Sequence, residues 1–304
     1  MRYRNIGFAT TGSFSGIFSA SDVEFRKRIG AWRGNTVPAA ASGMPAGGVW
    51  STGGNLATGR YYTAAAGNSP ANSALIFGGS TNGSDLLSST ELYNGATWSA
   101  GGTLSTARRE GMGSGTQTAA LAIAGEGTSG TELYNGSSWS NTTAYTLGRR
   151  GGASGTSTAT LSCCGDGNGT STVTFNGSTW SAGGALATSR NINGTCGSTT
   201  AALTAGGYSS ISSTELYNGS TWASGGNLNT GRAPAGQIVG IQTNALAAGG
   251  YSSLSSTELY NGSTWSTVNS MNTSHQLAGG CASGASATIG GGGGTGNTGT
   301  ETYA

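Results

Sequence analysis

Short apolar segments that end in glycine recur along the chain and predict buried strands. They are too short for helices and too apolar for loops. They stand at residues 74–79, 120–125, 202–207 and 245–250, with the sequences ALIFGG, ALAIAG, ALTAGG and ALAAGG. The same kind of strand is therefore expected once in each unit of a repeat.

A second recurring segment predicts a β-hairpin and is best preserved at residues 213–222, STELYNGSTW. Glu-Leu-Tyr forms one strand, Asn218-Gly219 the turn, and Trp222 begins the next strand. Asn-Gly between apolar runs is the strongest short hairpin signal, because a type I′ turn needs positive φ at both central residues. We therefore expect type I′ turns throughout. Near-copies of the segment end at Trp98, Trp139, Trp180 and Trp265.

The tryptophans set the period of the repeat. Trp50, Trp98, Trp139, Trp180, Trp222 and Trp265 are separated by 48, 41, 41, 42 and 43 residues. Four-stranded propeller blades have a period of roughly 40–50 residues. Six positions after each tryptophan stands an apolar or aromatic residue, which supports the alignment: Leu56, Leu104, Tyr145, Leu186, Leu228 and Met271. The spacing predicts six blades.

The two ends of the repeat region complement each other. Residues 300–304 (TETYA) are the first half of the hairpin, and residues 46–50 (AGGVW) are its second half. An N-terminal strand would therefore complete the last blade and remove the free edges of an open sheet. The fold class is predicted to be all-β, a six-bladed propeller of four-stranded blades over residues 38–304.

An arm is predicted to precede the propeller at residues 1–37. Residues 21–24 (SDVE) form a capping box, and an amphipathic helix follows. Such a short helix is unstable in water unless it packs on something, so we expect it to be a docking element. Residues 34–45 are predicted to be a linker. The docking residues are Phe25, Arg26, Lys27, Arg28, Ile29 and Trp32.

Charged residues recur in register with the tryptophans. Ten positions after each tryptophan stands a basic residue: Arg60, Arg108, Arg149, Arg190, Arg232 or His275. Glutamates recur seven positions before the tryptophan, at Glu91, Glu132, Glu215 and Glu258, and Glu301 takes this place in the last repeat. The arginines could converge on an anion. A charge buried in a nearly neutral body is normally paired, however, which favours an Arg–Glu ion pair.

The order of features in each unit resembles the kelch repeat over residues 46–304. Paired glycines close an apolar strand, and Glu-x-Tyr, a turn, a tryptophan and an arginine follow. The resemblance implies that the Arg–Glu pair is a structural, blade-to-blade contact. The third repeat departs from the pattern: residues 163–165 read CCG, and Val173 and Phe175 replace Glu and Tyr.

The regular, uncharged copies are also similar to kelch-like proteins of tailed bacteriophages, especially marine ones, and residues 16–32 resemble a short element of phage structural and tail-associated proteins. This resemblance implies a virion component, made in the host cytoplasm. Its arm would dock to other virion proteins or to sister copies in a homo-oligomer, and the propeller would face outward. The alternative is a host-recognition or carbohydrate-binding propeller.

Composition narrows the possible functions. Charged residues make up 8% of the chain. Residues 1–33 hold six basic and two acidic residues, a net +4, and the remainder carries −2. This mild asymmetry does not favour nucleic-acid binding. The N-terminus lacks the apolar core of a signal peptide, and no segment is long and apolar enough for membrane insertion.

Neither metal binding nor catalysis is predicted. The cysteines Cys163, Cys164, Cys196 and Cys281 have no metal-ligand spacing and are expected to be buried free thiols. One histidine cannot supply the copper site of galactose oxidase-like propellers. Residues 219–222 (GSTW) match the end of a sialidase box, but Tyr217 stands at its aspartate position. We expect no cofactor and no enzymatic activity.

Binding residues are expected where the repeats differ, in the loops after the glycine pairs, since loops on a rigid scaffold commonly carry recognition. Tyr208 and Ile211 in one repeat and Tyr251 and Leu254 in the next could form an apolar platform for a sugar or a protein partner. They could equally cover the ends of their own blades.

Overall fold

A computed structural model describes residues 43–166, 169–233, 238–251, 254–283, 286–291 and 297–304. The chain divides into two units between Ser42 and Gly43. The predicted arm, with its docking residues from Phe25 to Trp32, lies outside the described residues.

Six four-stranded antiparallel sheets form the blades of a propeller, as predicted, and no helix occurs among the described residues. Strand β1 (Trp50–Thr52) comes first in the chain. Blade 1 contains β2 (Ala64–Ala65), β3 (Leu75–Phe77), β4 (Thr90–Tyr93) and β5 (Trp98–Ala100). Blade 2 contains β6 (Met112–Thr116), β7 (Ala119–Gly125), β8 (Thr128–Tyr134) and β9 (Trp139–Thr142). Blade 3 contains β10 (Gly152–Thr156), β11 (Ala159–Cys163), β12 (Thr172–Phe175) and β13 (Trp180–Ala182).

The second half of the ring repeats this arrangement. Blade 4 contains β14 (Gly194–Gly197), β15 (Ala202–Ala205), β16 (Thr214–Tyr217) and β17 (Trp222–Ser224). Blade 5 contains β18 (Ile238–Ile241), β19 (Asn244–Ala248), β20 (Thr257–Tyr260) and β21 (Trp265–Val268). Blade 6 contains β22 (Gly279–Ser283), β23 (Ser286–Gly290), β24 (Thr300–Tyr303) and β1. The first strands of neighbouring blades contact one another around the centre of the ring.

The predicted closure by an N-terminal strand is confirmed. Strand β1 pairs antiparallel with β24, with Trp50 opposite Tyr303 and Thr52 opposite Glu301. The Trp50 and Tyr303 rings lie 5.3 Å apart between centroids. The two ends of the propeller are thus joined in one sheet, with β1 as the outer strand of blade 6.

The antiparallel order of each blade separates the loops onto two faces. The lower face carries the turns between first and second strands and the hairpins between third and fourth strands. The upper face carries the loops between second and third strands and the connections between blades. The described chain starts on the lower face, where the Met44 N–H donates to Asn244 Oδ1 at 2.8 Å beside the β18–β19 turn. Met44 is buried, so residues 43–45 belong to the propeller and not to a linker.

The prediction of type I′ turns is wrong. Tyr93 pairs with Trp98, so the loop between β4 and β5 has four residues and not two. Gly95 has a φ of +94°, whereas Asn94 does not have positive φ. Instead, Asn94 Oδ1 accepts the N–H groups of Ala96 and Thr97, both at 2.9 Å. The asparagine side chain closes the loop by an Asx turn, and the same bonds recur in the other copies of the hairpin.

The hydrophobic core lies mainly between neighbouring blades. Leu75 and Phe77 of blade 1, for example, pack in one cluster with Ala122 and Trp139 of blade 2. The Trp139 Nε1–H also donates to Thr90 Oγ1 of blade 1 at 3.0 Å. Corresponding Trp–Thr bonds join Trp98 to Thr300, Trp222 to Thr172 and Trp265 to Thr214. The tryptophan of each of these four blades therefore fastens it to the preceding blade.

The four cysteines are buried and free, which confirms the sequence prediction. Cys196 and Cys281 occupy the third position of β14 and β22, the first strands of blades 4 and 6.

Candidate binding site on the upper face

The repeated Arg–Glu pair forms inside the blades and holds the connections in place. Arg60 Nη2 lies 2.6 Å from Glu91 Oε1, and both side chains are buried. The same carboxylate accepts the N–H groups of Ala57 and Thr58, at 2.7 and 3.2 Å. Arg60 also donates to the carbonyl oxygens of Gly78 and Ser89. Burial lowers the pKa of Arg60, and the Glu91 carboxylate partly offsets this effect.

Equivalent pairs occur in four other blades. They join Arg108 to Glu132, Arg190 to Glu215 at 2.8 Å, Arg232 to Glu258 at 2.7 Å, and His275 to Glu301 at 3.3 Å. Each pair ties the connection that leads into a blade to the third strand of that blade. Because the four arginines of the buried pairs are at most 1% exposed, they cannot serve as a ring that binds an external anion.

Arg149 departs from the prediction and lies on the upper face, with its side chain 28% exposed. The reason is that the connection into blade 3 is one residue shorter. Strand β10 starts 13 positions after Trp139, whereas β6 starts 14 positions after Trp98. Gly148 therefore occupies the arginine position, where a Cβ would lie 2.7 Å from Asp166 Cβ. Val173 takes the glutamate position in β12. Blade 3 has thus lost both members of the pair.

The displaced Arg149 joins a cluster of charged side chains around blades 2 and 3. Its Nη1 lies 2.7 Å from Glu126 Oε2, and its Nε lies 3.3 Å from Glu110 Oε2, an ion-pair contact without hydrogen-bond geometry. Arg150 Nη2 donates to Glu110 Oε1 at 2.6 Å. A hydrogen bond from Arg109 lowers the pKa of Glu126. Asp166, 3.4 Å from Arg149, completes a cluster of three arginines and three carboxylates with no net charge.

Tyrosines occupy the corresponding loops of blades 4 and 5. Tyr208 and Tyr251 are 52% and 42% exposed, and their rings meet edge to face with centroids 6.4 Å apart. Their loops are fixed by main-chain bonds: the Tyr208 N–H donates to the Asn191 carbonyl at 2.9 Å, and the Tyr251 N–H to the Ala233 carbonyl at 3.1 Å. The structure therefore brings together the two tyrosines that the sequence singled out.

Ile211 and Leu254, the other two residues of the predicted platform, are partly buried. Their Cδ1 atoms lie 3.1 and 3.5 Å from the positions that a Cβ would take at Gly207 and Gly250. They cover the glycine pairs of their own blades, and Leu254 also lines a hollow beside the tyrosines.

A hollow of about 240 Å³ opens where the charged cluster meets the tyrosines. A second hollow of about 260 Å³ adjoins it and shares the same two tyrosines. The residues that line the first hollow are Tyr62, Glu110, Arg150, Asn191, Ile192, Tyr208 and Tyr251. We name this hollow the junction pocket.

Sequence reasoning missed the inner wall of the junction pocket. Tyr62, Glu110, Arg150 and Ile192 occupy one structural position, just before the first strand of successive blades, with φ between +52° and +65°. Main-chain hydrogen bonds link these residues in sequence. The Glu110 N–H donates to the Tyr62 carbonyl oxygen at 3.0 Å, the Arg150 N–H donates to the Glu110 carbonyl oxygen at 3.2 Å, and the Ile192 N–H donates to the Arg150 carbonyl oxygen at 2.6 Å. The sequence signal that could have revealed this wall is that the residue type at this position differs from blade to blade.

The centre of the propeller also holds a cavity of about 70 Å³, lined mainly by small residues of the first strands. Within the described part of the chain, no group of three His, Cys, Asp or Glu side chains could hold a metal ion. No helix in that part could cross a membrane. Comparison of the chain with models of known protein families and with curated protein sequences finds no match.

Proposed function

We propose that this protein is a non-enzymatic recognition protein whose upper face binds its ligand. The observation that carries the proposal is the exposed Tyr208–Tyr251 pair beside the junction pocket. Large exposed aromatic side chains are costly on a free surface and are enriched where proteins bind ligands or partners. A purely architectural role would not require them.

The rigidity of the ring supports this role. Five buried pairs fix the connections between blades, and main-chain bonds anchor the tyrosine loops. Binding groups held by a rigid scaffold lose little conformational entropy when a ligand arrives. The repeat thus provides the frame, and the residues that break the repeat provide the recognition surface.

We further propose that the protein is a structural component of a tailed-phage particle. The resemblance of the repeats and of residues 16–32 to phage proteins supports this location, as does the basic arm. In this proposal, residues 1–37 dock to other virion proteins or to sister copies in a homo-oligomer. The described residues begin on the lower face at Gly43, and the proposed ligand of the upper face is a glycan or protein of the host surface.

Particles of the phage that encodes the chain would test this proposal. Mass spectrometry of purified particles is expected to detect the protein, and a Phe25→Ala/Trp32→Ala variant is expected to be depleted from them. A Tyr208→Ala/Tyr251→Ala variant is expected to remain on the particle but to slow its adsorption to host cells. Absence of the protein from the particles would refute the virion role, and unchanged adsorption would refute host recognition by the tyrosines.

A further inference from the structure

We infer that the junction pocket binds a single pyranose ring of a neutral glycan. This inference rests on the proposed recognition function and extends it by naming the class of ligand and the residues that would contact it.

Three of the seven residues that line the junction pocket are tyrosines. Tyr62, Tyr208 and Tyr251 line it together with Ile192, so rings and an aliphatic side chain surround the space. A pyranose has faces of C–H groups that pack on aromatic rings and edges of hydroxyl groups that need hydrogen bonds. Tyrosine suits such a ligand because it combines an apolar ring with a polar hydroxyl group. The junction pocket, taken without the adjoining hollow, has a volume of about 240 Å³, below the roughly 300–1,000 Å³ of pockets for drug-sized ligands, which favours one sugar ring within it.

Hydrogen-bond donors and acceptors both line the junction pocket. Asn191 Oδ1 is buried and has no hydrogen-bond partner among the described residues, so it can accept a bond from a hydroxyl group. Arg150 uses Nη2 to bind Glu110, and a guanidinium has five N–H donors in all. Burial raises the pKa of Tyr62, so its hydroxyl stays protonated and can donate. Hydroxyl groups, which both donate and accept, match this mixture.

The charge of the pocket selects a neutral ligand. Glu110 and Arg150 are the charged residues that line it, and they neutralise each other at 2.6 Å. A carboxylated or sulfated sugar would lose solvation without gaining an unpaired counter-charge. The pocket is also concave, which favours a small ring over the flat surface of a protein partner.

Ligand-observed NMR on the full chain provides the test. The probes are methyl glycosides of glucose, galactose and mannose, with methyl glucuronide as the charged comparison. Saturation transfer to at least one neutral glycoside is expected, with little transfer to the glucuronide. Tyr251→Ala should weaken binding about tenfold or more, as truncation of a central aromatic contact does. Ile241→Ala removes a similarly exposed apolar residue on the lower face and should leave binding unchanged.

Three results would overturn the inference: no binding of any neutral glycoside, equal or tighter binding of the glucuronide, or unchanged binding in Tyr251→Ala. Tyr251→Phe, which keeps the ring, is a second variant in case Tyr251→Ala does not fold, and it should retain most of the binding. If no neutral glycoside binds, the proposed recognition role can still be met by a protein ligand. The adsorption of particles that carry the tyrosine variants tests that role independently of the NMR result.

Discussion

At the scale of single residues, the same sequence position has two different roles in this ring. Arg190 is buried and bonds to Glu215 and to the carbonyl oxygens of Gly206 and Ser213. Arg149, at the equivalent distance from its tryptophan, is partly exposed and contacts surface carboxylates. A shift of one residue therefore converts a structural arginine into a surface one.

This difference predicts unequal costs of substitution. Arg190→Ala leaves the Glu215 carboxylate buried without its partner and should lower the free energy of unfolding by about 3–5 kcal/mol. Arg149→Ala removes ion-pair contacts with the partly exposed Glu126 and Asp166, while Glu110 keeps its bond from Arg150, so the cost should be about 1 kcal/mol or less. Urea unfolding of both variants measures the difference. Equal costs would contradict the assignment of Arg190 as structural.

A second residue-scale prediction concerns Asp85 in the upper loop of blade 1. Burial opposes its ionisation, but hydrogen bonds from Ser80, Thr81 and Asn82 outweigh burial and lower the pKa of Asp85 to about 2. Because this pKa lies below the unfolded value near 3.8, ionised Asp85 stabilises the fold above pH 3.8. The contribution is lost as the pH falls toward 2.

Asp85→Asn should therefore be less stable than the wild type at pH 5, and the difference should shrink as the pH approaches 2. The measurement is the free energy of unfolding of both proteins at several pH values between 2 and 5. A difference that stays constant over this range would show that ionisation of Asp85 does not contribute.

At the scale of elements, tryptophans join neighbouring blades. Trp222 donates to Thr172 Oγ1 of blade 3 at 2.9 Å, and this threonine is buried. Trp180 has no such bond: it donates to the Thr143 carbonyl at 3.4 Å, and the hydroxyl of Thr131 has no partner among the described residues. The contact between blades 2 and 3 therefore lacks the bond found between blades 3 and 4.

Trp222→Phe should be more destabilising than Trp180→Phe, by about 1–3 kcal/mol, because only the first leaves a buried hydroxyl without its partner. Thr172→Val in the Trp222→Phe background removes that hydroxyl and should recover part of the loss. A double-mutant cycle by urea unfolding measures the coupling. A coupling near zero would mean that the Trp–Thr bond does not hold the blades together.

The elements also show what the sequence could and could not predict. The spacing of the tryptophans and the complementary ends predicted the blade number and the pairing of β1 with β24. The prediction of the turn type was wrong because Asn-Gly indicates a turn without setting the loop length. The loop length follows here from the pairing of Tyr93 with Trp98. The predicted role of Arg149 was wrong because alignment on Trp139 does not reveal a deletion further along the connection.

The binding site was predicted in part. Tyr208 and Tyr251 stood out because their loops differ from the other repeats and lie in adjacent blades. Tyr62, Glu110 and Arg150 come from three other connections, and only closure of the ring places them beside the tyrosines. Local sequence patterns contain no information on that long-range proximity.

At the scale of the whole molecule, we propose different roles for the arm and for the propeller. The charged cluster and the tyrosines meet on the upper face, and the described chain begins on the lower face at Gly43. Each of the six described sheets has four strands, and every described strand lies between Trp50 and Tyr303. We propose that residues 1–37 assemble the protein and that the propeller recognises the ligand.

Light scattering of the full chain beside residues 38–304 tests this division most directly. The account predicts that the full chain is an oligomer of defined mass and that residues 38–304 form a folded monomer. Far-UV circular dichroism of the shortened protein serves as the control for folding. An oligomer of the same size without residues 1–37, or a monomeric full chain, would contradict assembly through the arm.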